Sequence, residues 1–410
     1  MIKIVEINDL ANLKVTAEEW NSLLNESTST PFQTYEWITN YIKHFIPNEK
    51  LFLLLAYSDD ELVGIAPLRK FVQKKWKLFT QKKIIFLDEV FSEYCDFIIR
   101  SESVPAERGS IPHLIDSSGK TESPNVCGIK SNEIHVDNGT KLRATSYELP
   151  TNECELKSEF TIEVVDAFIN YIFANHPDIY RIDLRDIPLE SKTGIALNKM
   201  NNILLSNFNG EKYLYIDSTA SYQKYLSNFS KKTLLTIKRK ENKISNLNVK
   251  YVYADKAEES HIALIAKLNR ERIEKNGAIS FFSYETNYKF LSSLVKEFNK
   301  SNITHLSHCL CNDETISLYL CFRHFNKLYF FISGFNTKYE SYSLGSIHLF
   351  KTIEYCFKNN IAKFDFLRGI DKYKYRYHPE ETSTKRSIIW RKSFMGRIWR
   401  VVFQTVVRSQ

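Results

Sequence analysis

Residues 314–374 constrain the fold more than any other stretch, because the hydrophobic pattern changes period twice within them. They read as strand, turn, strand, short loop, helix, strand. The loop before the helix carries Gly345, and the last strand ends in Asp365-Phe366-Leu367-Arg368-Gly369. The first N–H groups of a helix have no intrahelical acceptor. Here they stand beside a strand end, where a pyrophosphate-bearing cofactor such as coenzyme A can sit. Three of the twelve glycines, Gly334, Gly345 and Gly369, fall in this segment.

A weaker echo lies upstream. Residues 167–187 and 349–370 each read as an aromatic-rich helix, a short break and a strand. Arg181-Ile182-Asp183-Leu184-Arg185 parallels Lys363-Phe364-Asp365-Phe366, with Arg368 following after one extra residue. We read two copies of one α/β unit. At 410 residues the chain has the length for two domains. The expected division is 1–205, then 206–392 as the catalytic half, then a basic amphipathic tail at 393–410. Residues 101–151, rich in Ser, Pro, Gly, Thr and Asn, read as a loop-rich insertion.

In the first half, helices are expected at 18–24, 32–45, 163–174 and 191–200. Strands are expected at 51–57, 62–71, 84–87, 94–99 and 179–184, with an acidic turn at Ser58-Asp59-Asp60. The second half predicts strands at 213–216, 249–254, 304–311, 315–325, 327–335 and 362–367. Its helices are predicted at 221–245, 256–275, 287–299 and 344–358.

Hydrophobic residues make up 43% of the chain and aromatics 14%, which supplies a core and excludes overall disorder. The net charge of +8 suits an anionic ligand such as a nucleotide, a phosphate or a membrane surface, without demanding nucleic acid. Seven cysteines, an odd number with one close pair, read as buried thiols of a reducing cytoplasm rather than disulfides or a zinc site. The first residues lack a signal-peptide pattern, and no run of 18 uncharged apolar residues predicts a transmembrane helix.

Five places carry candidate chemistry. Ser343 or Ser346 can cap the helix that follows Gly345, and its first-turn amides favour an anion. Asp365 alternates with Phe364 and Phe366, so it faces the other way. It is either a carboxylate of raised pKa that acts as base or substrate clamp, or an ion-pair partner of Arg368 or Lys363. Residues 372–378 alternate basic and aromatic side chains, which is either a face for an anionic substrate with the other face packed, or a half-exposed edge strand. Lys231, Lys238 and Arg239 share part of a basic helix face, which is either a phosphate site or a solvated surface. In the tail, Phe394, Ile398, Val401, Val402 and Val406 form an apolar stripe flanked by arginines. It suits a membrane surface or docking on its own domain. There is no GxSxG elbow, HExxH, Walker lysine loop or complete GxGxxG.

Taken together, these residues resemble GNAT-type N-acyltransferases, in particular the two-domain CelD-like subgroup related to Fem peptidyl transferases. In the first half the resemblance rests on Trp20, Phe32-Gln33-Thr34-Tyr35-Glu36-Trp37, Leu62 to Leu68, and Tyr94-Cys95-Asp96-Phe97. In the second it rests on residues 231–240, Gly334-Phe335, Tyr342-Ser343-Leu344-Gly345, Phe364 to Gly369, and Tyr373-Lys374. The chain departs from the usual phosphate loop in having fewer glycines, and Leu344 stands where the subgroup often has proline.

The resemblance implies an α/β fold of tandem GNAT-like domains, each a mixed, mostly antiparallel sheet flanked by helices. It implies transfer of an acyl group, acetyl in the first instance, from acyl-CoA to an amine on a sugar or cell-envelope precursor, without a metal. Asp365 is then the candidate base or amine clamp, and Tyr342 or Tyr373 the proton donor to the leaving thiolate. Phe335, Leu344, Gly345 and Ser346 are the candidate coenzyme A contacts. Lys238, Arg239, Arg368 and Lys374 are candidates for a lipid- or nucleotide-linked amino-sugar substrate. Two rivals stay open: a Fem-like aminoacyl-tRNA-dependent transferase, and a non-catalytic binding protein of a polysaccharide assembly complex. DNA is not an expected partner, and peripheral membrane contact would run through the tail.

Overall fold

The computed structural model describes residues 1–27, 30–75, 79–101 and 151–408. Almost all of the expected insertion at 101–151 lies outside the described residues.

The first half runs β1 (Lys3–Ile7), α1 (Ala17–Asn25), α2 (Tyr35–Phe45), β2 (Leu51–Ser58), β3 (Glu61–Lys75), β4 (Phe79–Phe86) and β5 (Ile98–Ile99). It continues with α3 (Thr151–Asn175), β6 (Ile179–Pro188) and α4 (Lys192–Lys199). Local chemistry sets the starts. Thr16 and Glu19 form a reciprocal capping box ahead of α1, and the Thr34 hydroxyl accepts from Trp37 N–H to begin α2. Asp59 and Asp60 both take left-handed angles, the geometry of a tight hairpin between β2 and β3.

The second half runs β7 (Leu204–Asp217), α5 (Tyr222–Leu226), α6 (Lys231–Ser245), β8 (Val249–Ala254), α7 (Glu259–Lys275) and α8 (Glu285–Lys300). Then come β9 (Thr304–Cys311), β10 (Glu314–His324), β11 (Lys327–Phe335), α9 (Leu344–Lys358), β12 (Lys363–Arg368), β13 (Glu380–Trp390) and α10 (Phe394–Arg408).

The described strands form one mixed, mostly antiparallel sheet in the order β1-β2-β3-β4-β6-β13-β7-β12-β11-β10-β9-β8, with β5 on β3. Two pairs are parallel: β4 with β6, reached through α3, and β11 with β12, reached through α9. The echo at 167–187 and 349–370 therefore marks the same helix–strand unit in both halves. The step the two halves share is the crossover helix, which a parallel pair requires. The expected mixed sheet flanked by helices is what the chain forms.

Both crossover strands also end alike. Asp186 in β6 and Leu367 in β12 each adopt a positive φ, 58° and 61°. A bulky residue in that region costs about 1–3 kcal/mol, so the surrounding contacts must hold it. The two ends then meet, because Arg368 Nη2 lies 3.0 Å from Asp186 Oδ2.

One hydrophobic cluster crosses the halves. Trp20, Phe32, Trp37 and Leu53 of the first pack with Phe290, Phe298, Leu320 and Phe322 of the second. Separate clusters lie under α3, with Val164 and Phe168, and under α9, with Leu349 and Ile353. The buried free thiols Cys95, Cys309, Cys311, Cys321 and Cys356 belong to this interior.

Four expectations need correction. The helix at 221–245 is two helices, broken at residues 227–230, because the Ser230 hydroxyl accepts from Thr233 N–H and starts α6 afresh. Residues 372–378 are not an edge strand: Lys374–Tyr377 form a 3-10 turn. The strand at 94–99 shrinks to two residues, since Tyr94 takes a left-handed φ of 58° that ends extended pairing. Residues 380–390, assigned no element, form β13, which pairs with β6 on one side and β7 on the other.

Candidate functional site

β11 and β12 pair only from Lys327↔Lys363 to Tyr329↔Asp365 and then part. The strands continue to Phe335 and Arg368, so a cleft opens between their carboxyl ends. A cavity of about 530 Å³ lies toward α9, and a second of about 270 Å³, called the inner cavity for its place beside Phe366, Leu367 and Arg368, lies toward the end of β12. Both touch Arg272, Phe330, Ser333 and Tyr373, so one continuous wall serves the two. Their size is that of a small-molecule site.

α9 begins on this wall. Ser343 sits at φ 57°, and its side chain does not cap the helix. Ser346 N–H and Ile347 N–H both donate to Ser343 O, at 3.0 and 3.2 Å. Among the described residues the Leu344 and Gly345 amides have no acceptor, and Ser343 through Ser346 line the larger cavity. Three cations, Lys240, Arg272 and Arg376, line it as well, against Glu340 and Asp371. Arg272 lies over the Phe335 ring at 5.2 Å, and its buried Nε has no acceptor among the described residues. Unpaired buried donors of this kind are expensive unless a ligand completes them. The loop is held by Tyr319, whose hydroxyl donates to Gly345 O at 2.8 Å, and by Tyr377, which donates to Ser346 O at 3.0 Å. A Cβ at Gly345 would lie 3.3 Å from the Phe335 ring, so a larger residue there asks that ring to give by a few tenths of an ångström.

The structure brings Phe335, Leu344, Gly345, Ser346 and Tyr373 together around the larger cavity. Burial pushes the Tyr373 phenol up to about 12, so it carries its proton at neutral pH. Arg368 and Lys374 line the inner cavity. The Lys374 ammonium donates to Arg368 O and Gly369 O at 2.8 and 2.9 Å, which ties down the turn after β12. Arg368 bonds Glu93 Oε2 at 3.2 Å, Ser92 O at 3.0 Å and Asp186.

Asp365 is not among the residues lining either cavity. Its carboxylate lies behind the strand end, accepting from Tyr94 Oη at 2.8 Å and Leu367 N–H at 2.9 Å, with Lys363 Nζ at 3.8 Å. Burial raises its pKa, opposed by Lys363 and these hydrogen bonds. Tyr342, Lys238 and Arg239 also lie off the lining: the Tyr342 ring takes the Lys243 ammonium at 4.8 Å, while Lys238 and Arg239 are exposed on α6.

The residues absent from the sequence reading are Lys240, Arg272, Arg376 and Tyr319, together with Glu93 and Asn269 of the inner cavity. Lys240 stood inside the basic stretch already singled out. Arg376 stood inside the alternating basic and aromatic stretch 372–378, while Arg272 carried no signal of its own, since a lone arginine on a helix reads as surface. Glu93 comes from the other half of the chain.

Residues 231–375 match the family model of the acetyltransferase (GNAT) domain. That span runs from the start of α6 to the turn after β12, and holds every lining residue of the larger cavity except Arg376 and Tyr377. No curated protein matches the chain. Among solved structures it is similar to FemX at 9% identity, over 92% of this chain and 96% of that one, with a TM-score of 0.55. It is similar to L-PGS from Bacillus licheniformis at 8% identity, over 96% and 97%, with a TM-score of 0.48. A tandem GNAT protein from the clavulanic acid biosynthesis pathway aligns at 8% identity over 96% and 100%, with a TM-score of 0.40. At 9% identity the likeness to FemX is one of fold. The span that resembles the GNAT acetyltransferase domain lies in the second half and supplies most of the lining of the larger cavity.

Proposed function

We propose that this chain is an N-acyltransferase that moves an acyl group, acetyl in the first instance, from acyl-CoA to the amine of a sugar or cell-envelope polysaccharide precursor. The observation that carries this reading is the uncapped start of α9 opening on the 530 Å³ cavity among Lys240, Arg272 and Arg376. The Leu344 and Gly345 amides would hold the pyrophosphate, and the three cations would offset its charge. Phe335 and Tyr319 give the pantetheine an apolar wall. The thioester would then reach the stretch of wall that the two cavities share, which includes Tyr373. Its protonated phenol can give a proton to the departing thiolate. The acceptor would enter through the inner cavity, beside Arg368 and Ser333.

A second reading keeps the fold and changes the donor to aminoacyl-tRNA. It is favoured by the exposed cations of α6, Lys231, Lys232, Lys238 and Arg239, on the helix whose Lys240 lines the cavity. Calorimetric titration with coenzyme A, acetyl-CoA and charged tRNA separates the readings. Saturable binding of acetyl-CoA that Gly345→Trp abolishes supports the first. Binding of charged tRNA without coenzyme A binding sinks it in favour of the second. Binding of neither leaves a GNAT fold used as a binding scaffold.

A further inference from the structure

We propose that Glu93, carried by the first half of the chain, binds the acceptor amine and takes its proton, so that the catalytic site is completed across the two halves. The proposal rests on the acyl-transfer reading above and names the group that reading lacks.

Glu93 is placed by rigid neighbours on both sides. Before it, Asp88 accepts from Val90 N–H, Phe91 N–H, the Ser92 hydroxyl and the Trp37 indole, at 2.8 to 3.2 Å. After it, Tyr94 stacks on Tyr213 with centroids 4.1 Å apart and donates to Asp365. The carboxylate between these anchors lines the inner cavity with Asn269, Arg272, Ser333, Arg368 and Tyr373.

Among the described residues Glu93 is the one carboxylate that lines this cavity, and it shares Arg368 with Asp186, at 3.2 and 3.0 Å. An amine that enters the cavity therefore meets Glu93 as its anionic acceptor. The charged and titratable groups facing Glu93 are Arg368, Tyr213, Asp186, Asp365 and Lys374. Burial outweighs Arg368 and pushes the Glu93 carboxyl up to about 7, near the optimum for a base at neutral pH.

The step balances as follows. The acceptor enters as an ammonium beside Glu93 and sheds one proton to solvent. Its lone pair attacks the thioester carbonyl carbon, the N–C bond forms and the C–S bond breaks, and the electron pair leaves on sulfur. The surplus proton on nitrogen passes to Glu93, and the thiolate takes one from the Tyr373 hydroxyl. Solvent returns the Glu93 proton to Tyr373. The products are an amide and the coenzyme A thiol.

The test combines carbon-13 NMR of the glutamate carboxyls, assigned with Glu93→Gln, and acetyl transfer from acetyl-CoA to glucosamine. In the full wild-type chain the Glu93 carboxyl should titrate near pH 7 and move to lower pH when glucosamine is saturating. Glu93→Gln should keep acetyl-CoA affinity within about twofold and lose about a hundredfold or more in transfer. The acidic limb of the pH–rate profile should vanish with it, and Glu93→Asp should restore part of the rate. A Glu93 carboxyl that titrates as an ordinary glutamate and ignores glucosamine overturns the proposal, as does wild-type transfer by Glu93→Gln. If acetyl-CoA fails to bind the wild type, the donor reading falls instead. The carboxyl titration with glucosamine then decides on Glu93 by itself.

A separate observation carries a second proposal. We infer that α10 lies on an anionic lipid surface. Phe394, Met395, Ile398, Val401 and Val402 all stand exposed on it, Phe394 by 78%. The opposite side is fixed to the body, where Phe403 packs on Phe208 and Trp390, and Arg400 bonds Ser206 Oγ and Leu205 O. Lys392 and Arg397 are exposed beside the stripe, and no Asp or Glu occurs anywhere in 391–410. An apolar face edged only by cations complements acidic headgroups. Among the described residues no helix is long and apolar enough to cross a membrane, so α10 would lie in the plane.

Co-sedimentation with phosphatidylcholine vesicles, with and without phosphatidylglycerol, tests this. The wild type should pellet only with the anionic vesicles, and Phe394→Asp with Val401→Asp should release it. Equal binding by the variant, or no binding by the wild type, overturns the inference. So does a wild-type dimer in sedimentation equilibrium that the same substitutions dissociate, because the face would then be covered by a second copy.

Discussion

The Tyr94 hydroxyl donates to Asp365 Oδ2 across 2.8 Å, joining residues 271 positions apart. Through this bond the first half reaches the strand end that forms one side of the cleft. Tyr94→Phe deletes the donor and leaves Asp365 with Leu367 N–H and the distant Lys363. Losing one partner of a buried carboxylate costs about 1–3 kcal/mol. Urea unfolding should show a destabilisation of that order, with the far-UV spectrum unchanged.

Gly345→Trp should place an indole in the larger cavity, beginning from a Cβ already 3.3 Å from Phe335. Acetyl-CoA binding should be lost while the thermal transition stays cooperative. Paired with Asp365→Asn, it tests the whole site: unchanged turnover in both variants would remove the assignment.

Arg272→Ala removes a cation shared by both cavities and frees the Phe335 ring. A charge-assisted bond is worth about 1.5–3 kcal/mol, so acetyl-CoA affinity should fall roughly tenfold or more. Arg376→Ala should weaken it less, because Arg376 is exposed. The wild-type affinity should drop with added salt more steeply than that of either variant, as titrations at two ionic strengths would reveal.

Lys374→Met should act on stability before it acts on binding. The ammonium is buried and satisfies the Arg368 and Gly369 carbonyls, so its loss leaves acceptors unpaired in the turn after β12. A fall in melting temperature of several degrees is expected. An unaltered melting curve with weakened substrate binding would instead make Lys374 a ligand contact.

His348 should make stability depend on pH. Its ring bonds Ser307 Oγ and Ser317 Oγ at 2.8 Å each and stacks on Tyr319, and burial pushes its pKa down to about 3. Between pH 3 and the ordinary histidine value, about 6.5, the unfolded chain binds a proton that the folded chain refuses. Stability therefore falls as pH drops through that window. Urea midpoints at pH 7.5, 6 and 5 should fall more steeply for the wild type than for His348→Gln.

Much of the fold was legible because it depends on local rules. α9 was predicted at 344–358, and Leu344–Lys358 is what forms. Its apolar spacing and the loop before it are sequence-local facts. The echo at 167–187 was legible for the same reason. β13 was not, because its partners β6 and β7 lie far upstream and its polar edge residues, Glu380 to Lys385, hide the strand pattern. The helix at 221–245 was misread because Ser230 caps as readily as it continues, and only its hydrogen bond to Thr233 decides.

The cavity shows the same division. Sequence determined that a helix start would stand beside a strand end, since residues 327–368 contain both within one crossover; that Ser343 leaves this start uncapped emerged only in the structure. It also determined the aromatic wall and the special place of Gly345. Tertiary structure alone decided which charges gather there. Glu93, Arg272 and Arg368 are far apart in the chain, and they meet because the two copies of the unit share one sheet and one core. A carboxylate's surroundings set its pKa and its partners, and those surroundings exist only after folding. That is why the sequence leaves Asp365 open between a base and an ion-pair partner, whereas folding bonds it to Tyr94 off the cavity lining and puts Glu93 on that lining.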